Sequence, residues 1–487
     1  MRRTRPSRDD ALRAALTLAS AVLAFCATYA VCLRAGSGAQ PAILAAILSL
    51  GLSRRTRSAH DVPLLVVPLV LAGVALAASG VGWLFVHLPV AGAAVFVAGL
   101  FLSIWLRNFG ANARRAGALL ALPLVAMLIV PPPDLSAPGG AATALALTIL
   151  AGIIAPLSAA IVRRLGAFIG LHPAAEAATA PNEARSATAG LTVPTRMALQ
   201  MAVALTLAFV VGFGAFPGHW AWTVLTAFIV CSGARGRGDA AYKGVLRFAG
   251  AVAGTLVATV VTRAWAPEGV AEAAAIFVAL YFGLLWREVN YAYWACAMTL
   301  VLALLARSTG VFGVALLGVR LEAILAGALC AVVATWFVFP IRTTDVIRRR
   351  LADALVALDE FVQHAHAAHD QKVARREHLD RRLGALEEVA APVRWHRRLL
   401  RDHPEHPARW IDLAAELRDH AHAFAETEKP PEQRRTAIRK LIGASRRAIG
   451  NHGKPDAQGP AIGESLTIVR EALRGGATSE ERRPSPQ

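Results

Sequence analysis

Cysteine is scarce in this chain. Five residues, Cys26, Cys32, Cys231, Cys296 and Cys330, are the whole complement of 487, all lie in apolar runs, and none shows paired spacing. A disulfide framework and a cysteine zinc site are therefore not indicated. Catalytic signatures are missing as well: no Ser-His-Asp arrangement or pair of carboxylates stands out. The Gly-rich "CSGARGRGD", Cys231 to Asp239, lacks a Lys-Ser or Lys-Thr after its glycines, so it is not a phosphate-binding loop. "HAHAAHD", His364 to Asp370, has ligand-like spacing, but a solvated helix accounts for it and no cysteine supports a metal site. The expectation is a protein that is not an enzyme and has no metal or cofactor.

Acidic residues are also few, 33 against 51 Lys and Arg, a net charge of +18. Nucleic acid is not the implied partner, because before Pro340 the basic residues sit in short clusters between apolar runs. What the chain has in quantity is apolar surface: 55% of residues are hydrophobic and the mean hydropathy is positive. The implied partner is a lipid bilayer.

A bilayer core takes roughly 20 apolar residues per helix. On that measure the sequence predicts twelve spans, near 11–33, 40–52, 62–86, 88–106, 115–130, 140–162, 195–216, 219–233, 244–265, 270–286, 291–306 and 317–340. The second and eighth are short for a crossing. The first follows basic residues, as a signal peptide would, but it is long and no small-residue cleavage site follows, so it reads as a retained span. With the N-terminus in the cytoplasm, twenty Lys and Arg up to residue 340 fall inside and four outside. This positive-inside bias places both termini in the cytoplasm.

The two halves resemble each other. Arg54 and Arg235, Gly73 and Gly254, and Trp105 and Trp286 are each 181 positions apart, and "ILAG" recurs at Ile149 and Ile324. Six spans per half make the halves parallel repeats. The expected organisation is a first repeat over 1–165, a cytoplasmic linker over 166–194, a second repeat over 195–340, a helical cytoplasmic domain over 341–474 and a disordered tail over 475–487. Helices are predicted in the cytoplasmic domain near 343–370, 372–402, 407–428, 431–450 and 461–474.

Charges inside the second repeat have no counterpart in the first. Opposite Arg320, Glu322 and Arg247 stand Leu145, Leu147 and Val66. A span can thus be built without them, and an ionisable group in a span is costly unless it serves a purpose. Arg247 and Arg320 are candidates to hold a carboxylate, for which a guanidinium offers two parallel donors. Snorkelling or interfacial anchoring, including an Arg320–Glu322 pair, is the plainer alternative. Glu322 and Asp239 are the proton-coupling candidates. His219, Trp220, Trp222, Tyr291, Tyr293 and Trp294 open two spans; they suit an interfacial belt or the aromatic wall of a pathway. Gly250 and Gly254 in "GAVAG", with Gly327, read as small residues that let helices approach closely.

"HWAWTVLTAFIV" (His219 to Val230), "VLRFAGAVAGTLVAT" (Val245 to Thr259), "NYAYWACAMTLVLAL" (Asn290 to Leu304) and "RLEAILAGALCAVVATWFVFP" (Arg320 to Pro340) carry a resemblance. In these the chain resembles the fusaric acid resistance, or aromatic acid exporter, family, with the first half a degenerate copy. The resemblance implies a bacterial inner-membrane exporter of small, aromatic organic acids, driven by the proton gradient and working with a periplasmic adaptor protein; a homo-oligomer is a further partner candidate. Plant malate channels look like distant relatives and keep an anion channel as the alternative. A membrane scaffold or sensor with a partner-binding tail is the third reading.

Overall fold

A computed structural model describes residues 6–55, 66–130, 140–168, 191–265, 267–287, 289–308, 314–365, 369–399, 406–426, 432–451 and 461–474. It is helical throughout these residues, and the described chain separates into two compact units. The first holds residues up to Ala234 together with Lys243–Pro340; the second holds Arg235–Tyr242 and the residues from Ile341 onward.

Among the described residues twelve α-helices precede Pro340. They are α1 (Arg8–Arg34), α2 (Gln40–Arg55), α3 (Val66–His87), α4 (Pro89–Trp105), α5 (Ala111–Ala126), α6 (Gly140–Phe168), α7 (Val193–Ala215), α8 (Trp220–Cys231), α9 (Arg237–Ala264), α10 (Val270–Trp286), α11 (Tyr291–Ser308) and α12 (Val314–Phe337). Local chemistry sets several starts. The Ser7 hydroxyl accepts the Asp10 N–H while the Asp10 carboxylate accepts the Ser7 N–H, a reciprocal cap for α1. Thr192 caps α7 through its side chain, and proline occupies the first turn of α4, where its missing N–H costs nothing. Where α12 ends, Phe339 takes a positive φ of 45°, and the Gln200 amide donates to the Val338 and Phe339 carbonyls at 2.9 and 3.1 Å. These bonds occupy carbonyls that the end of a helix leaves without partners.

Among the described residues seven helices are long and apolar enough to cross a bilayer, from Arg8–Arg34 to Gly318–Phe337, and four shorter ones are apolar too. Their outward faces carry Leu69, Val210, Leu256, Val260, Leu329 and Phe337, all exposed. Water-exposed surface of that kind would be unfavourable, whereas lipid accepts it. The chain is a multi-pass helical membrane protein.

Packing within this unit follows the chain order. Helices α1, α2 and α6 pack on one another, as do α7, α8 and α12; α4 packs on α5, and α10 on α11. Helix α7 also packs on α4. There Phe85 and Phe96 meet Phe209, and Phe85 meets Trp220, with ring centroids 4.7 to 5.7 Å apart.

The second unit contains α13 (Thr343–Gln363), α14 (His369–Glu387), α15 (Ala390–Leu399), α16 (Pro407–Glu426), α17 (Glu432–Asn451) and α18 (Ile462–Arg474). Its core joins Ile347, Leu351, Phe361, Leu379, Trp410, Leu417, Ile442 and Leu466, all at most 2% exposed. The single helix expected over 372–402 is two, because Pro392 has no N–H for the carbonyl four residues back and its ring crowds it. Residues 235–242 belong to this unit through the Arg235–Glu388 ion pair at 2.7 Å, the Arg237 N–H to the Ile341 carbonyl at 3.1 Å, and Tyr242 against Trp395 at 5.7 Å. Helix α9 thus starts seven residues earlier than hydropathy suggests. Most of the expected linker and the disordered tail lie outside the described residues.

Candidate functional site

Close approach of backbones builds the interior of the second half. A Cβ added at Gly250 would stand 2.5 Å from the Ala292 carbonyl oxygen, and one at Gly254 equally close to that of Cys296, so α9 and α11 are nearly in backbone contact. At Gly327 a Cβ would overlap the Thr223 carbonyl of α8. Gly244 faces Ala328 and Val332 of α12 at ordinary contact distance. At Gly250, Gly254 and Gly327 only glycine allows these spacings.

Two arginines enter that interior. Arg247 of α9 is 3% exposed and Arg320 of α12 is 2% exposed. The two guanidiniums repel each other electrostatically. The Arg247 Nε, and the Arg320 Nε and Nη2, are buried without a hydrogen-bond partner, and no ion pair to either arginine occurs among the described residues. Arg320 lies over the Trp222 ring with its Cζ 5.1 Å from the centroid, and His219 packs on that ring at 4.9 Å. Buried hydroxyls without partners also occur on these helices, at Thr223 and Thr226 of α8 and Thr255 of α9. Two buried positive charges, one of them against an aromatic face, suit an anion with an apolar body.

The structure separates Arg320 from Glu322. Two residues on a helix point roughly 200° apart, and Glu322 is exposed while Arg320 is buried. The anchoring pair considered from sequence does not form, and Glu322 is outside the interior. Asp239 is engaged elsewhere: its carboxylate accepts the Arg235 N–H at 3.0 Å and shapes the entry to α9.

The aromatic candidates also divide. Trp222 lies against Arg320, with His219 behind it. Trp220, two residues earlier and on another face, packs with Phe85, Phe209 and Phe213. Tyr293 is 50% exposed and lies against Trp286 at 5.4 Å, whereas Trp294 packs on Gly283 beneath Arg287. Tyr291 is half-buried at the start of α11.

Sequence reasoning missed the three threonines, which hydropathy counts as neutral, and Glu272, 8% exposed in the first turn of α10. The lone carboxylate in "VAEAAAIF" was the available signal. Part of the histidine-rich stretch, residues 366–368, lies outside the described residues; of the rest, His364 Nδ1 is 2.9 Å from the Glu360 carbonyl oxygen. Among the described residues no group of three or more His, Cys, Asp and Glu is placed to hold a metal ion.

No curated protein matches the chain. Residues 201–334 match the model of a family described as fusaric acid resistance protein-like, and Arg247, Arg320, Trp222 and the three close-packed glycines all fall within that segment. From within α7 to near the end of α12, the chain is similar to the fusaric acid resistance protein-like family.

Proposed function

We propose that this protein exports small organic acids, aromatic ones among them, across the bacterial inner membrane. The observation that carries the reading is the pair of buried arginines, Arg247 and Arg320, unpaired among the described residues, with Arg320 lying over Trp222. A carboxylate supplies the charge that both guanidiniums need, and its ring has an indole on which to stack. The resistance-type family match over 201–334 points to transport rather than catalysis. A twelve-span arrangement in two parallel repeats suits the similar packing of α1, α2 and α6 and of α7, α8 and α12. In this reading both termini face the cytoplasm.

Proton coupling would need a titrating group beside the anion. Glu322 faces outward and Asp239 holds a loop, so the proton would travel on the substrate's own carboxyl group. An anion channel on the same fold is the second reading; the lack of a carboxylate against either arginine among the described residues favours it. A test of the leading reading compares bacteria producing the wild-type chain with bacteria producing Arg247→Lys. After loading with labelled 4-hydroxybenzoate, wild-type cells should extrude it faster, since an ammonium loses the two-donor geometry. Equal extrusion would remove Arg247 from the site.

A further inference from the structure

We infer that transport through this site is an obligatory exchange, in which one carboxylate leaves only as another anion takes its place. The inference rests on the carboxylate reading above and adds the mode of transport and the class of counter-substrate. Its basis is the state of the two arginines. Both are almost fully withdrawn from solvent, at 3% and 2% exposure. Both have buried N–H groups without partners, Arg247 at Nε and Arg320 at Nε and Nη2. Their only described mutual interaction is repulsive.

A guanidinium stays charged in proteins, so loss of a proton is no route to neutrality here. The Trp222 face stabilises Arg320 in part, but it does so on one side only and does nothing for Arg247. Backbone contacts at Gly250, Gly254 and Gly327 leave α8, α9, α11 and α12 little room for side chains or water to intervene at those levels. A closed arrangement of these helices therefore holds two desolvated like charges.

Conversion between an outward-open and an inward-open site passes through such a closed arrangement. With an anion between the guanidiniums, its charge offsets their desolvation and their repulsion. Without one, closure strips water from both and returns nothing. The loaded site converts and the unloaded site does not, so net movement of one anion without a counter-anion is slow. The neutral residues Val66 and Leu145 in the first half impose no such condition. The counter-substrate is any small anion that fits two guanidiniums, a second carboxylate or an inorganic anion.

The test uses the full-length chain in liposomes with the membrane potential held at zero. The probe is labelled isophthalate, an aromatic dicarboxylate that leaks poorly through lipid. Vesicles contain either unlabelled isophthalate or only a zwitterionic buffer. Uptake into the loaded vesicles should be about tenfold faster or more, the ratio that a closure difference of one decade implies. In Arg320→Gln, where one charge is gone, the ratio should fall toward unity. Equal uptake into both kinds of vesicle by the wild type would overturn the exchange and leave the anion site standing. Binding of isophthalate, read as a raised melting midpoint, without uptake in either vesicle would also overturn it. Neither uptake nor binding would remove the carboxylate reading and the exchange together.

Discussion

Replacing Arg320 by leucine, the residue at the corresponding place in the first half, should make the protein more stable and inactive at once. A charged residue at the centre of a span costs about 2.5 to 3.5 kcal/mol on insertion scales, an upper bound for Arg320 in the second turn of α12. Against this, Arg320→Leu gives up the contact with Trp222, worth about 0.5 to 2 kcal/mol for a cation over an aromatic face. The balance favours leucine by up to roughly 3 kcal/mol. At about 2 °C per kcal/mol for a long chain, the melting midpoint should rise by up to about 6 °C. Ligand response supplies the second half of the assay. Isophthalate at about one hundred times its dissociation constant stabilises the wild type by about 2.7 kcal/mol, and Arg320→Leu should show little of this. The measurement is thermal unfolding of the purified full-length protein in detergent, with and without isophthalate. A midpoint lowered by more than about 2 °C, or an undiminished response to isophthalate, would refute the argument: the first outcome makes Arg320 a structural residue, the second places the anion elsewhere.

Three further expectations concern packing, pH and topology. Gly327→Leu should prevent α12 from seating on α8, because the Thr223 carbonyl already touches the place of a Cβ; loss of the monodisperse peak in size-exclusion chromatography checks this, with Gly318→Ala, at a position with open space around it, as the control that should run normally. In the second unit His422 is held below the usual histidine pKa chiefly by burial, against the opposing pull of Asp380 at 3.3 Å. A depressed histidine contributes stability above its unfolded pKa of about 6.5 and loses it as the pH falls through the folded value, so amide protection in α16 should decline below about pH 6.5, and His422→Gln should flatten that decline. Cysteines placed at Gly218 or Glu268, both exposed, should react with an impermeant reagent in intact cells, while one at Gln433 should not; labelling at Gln433 from outside contradicts cytoplasmic placement of the second unit.

The positions of the helices were legible from the sequence for a plain physical reason. A backbone in lipid satisfies its hydrogen bonds only within the helix, so an apolar run of sufficient length states its own structure. The run over 270–286 corresponds to α10 residue for residue, and the domain after Pro340 announced itself by its charge. Small residues at Gly250, Gly254 and Gly327 marked close contacts that the packing contains. Their spacing carried no information about which helix they would meet.

The facing of each polar side chain was decided by tertiary structure alone. Arg320 and Glu322 are equally charged, lie in one apolar run and differ by two positions, yet one is buried over Trp222 and the other is exposed. Trp220 and Trp222 stand at the same spacing, and they part in the same way, one into an aromatic cluster and one to the arginines. A hydropathy run contains no phase that says which stripe of the helix meets protein and which meets lipid. That phase comes from where a second helix can approach, and here glycine backbones on α9 and α12 set the approach and so turned Arg247 and Arg320 toward a common interior.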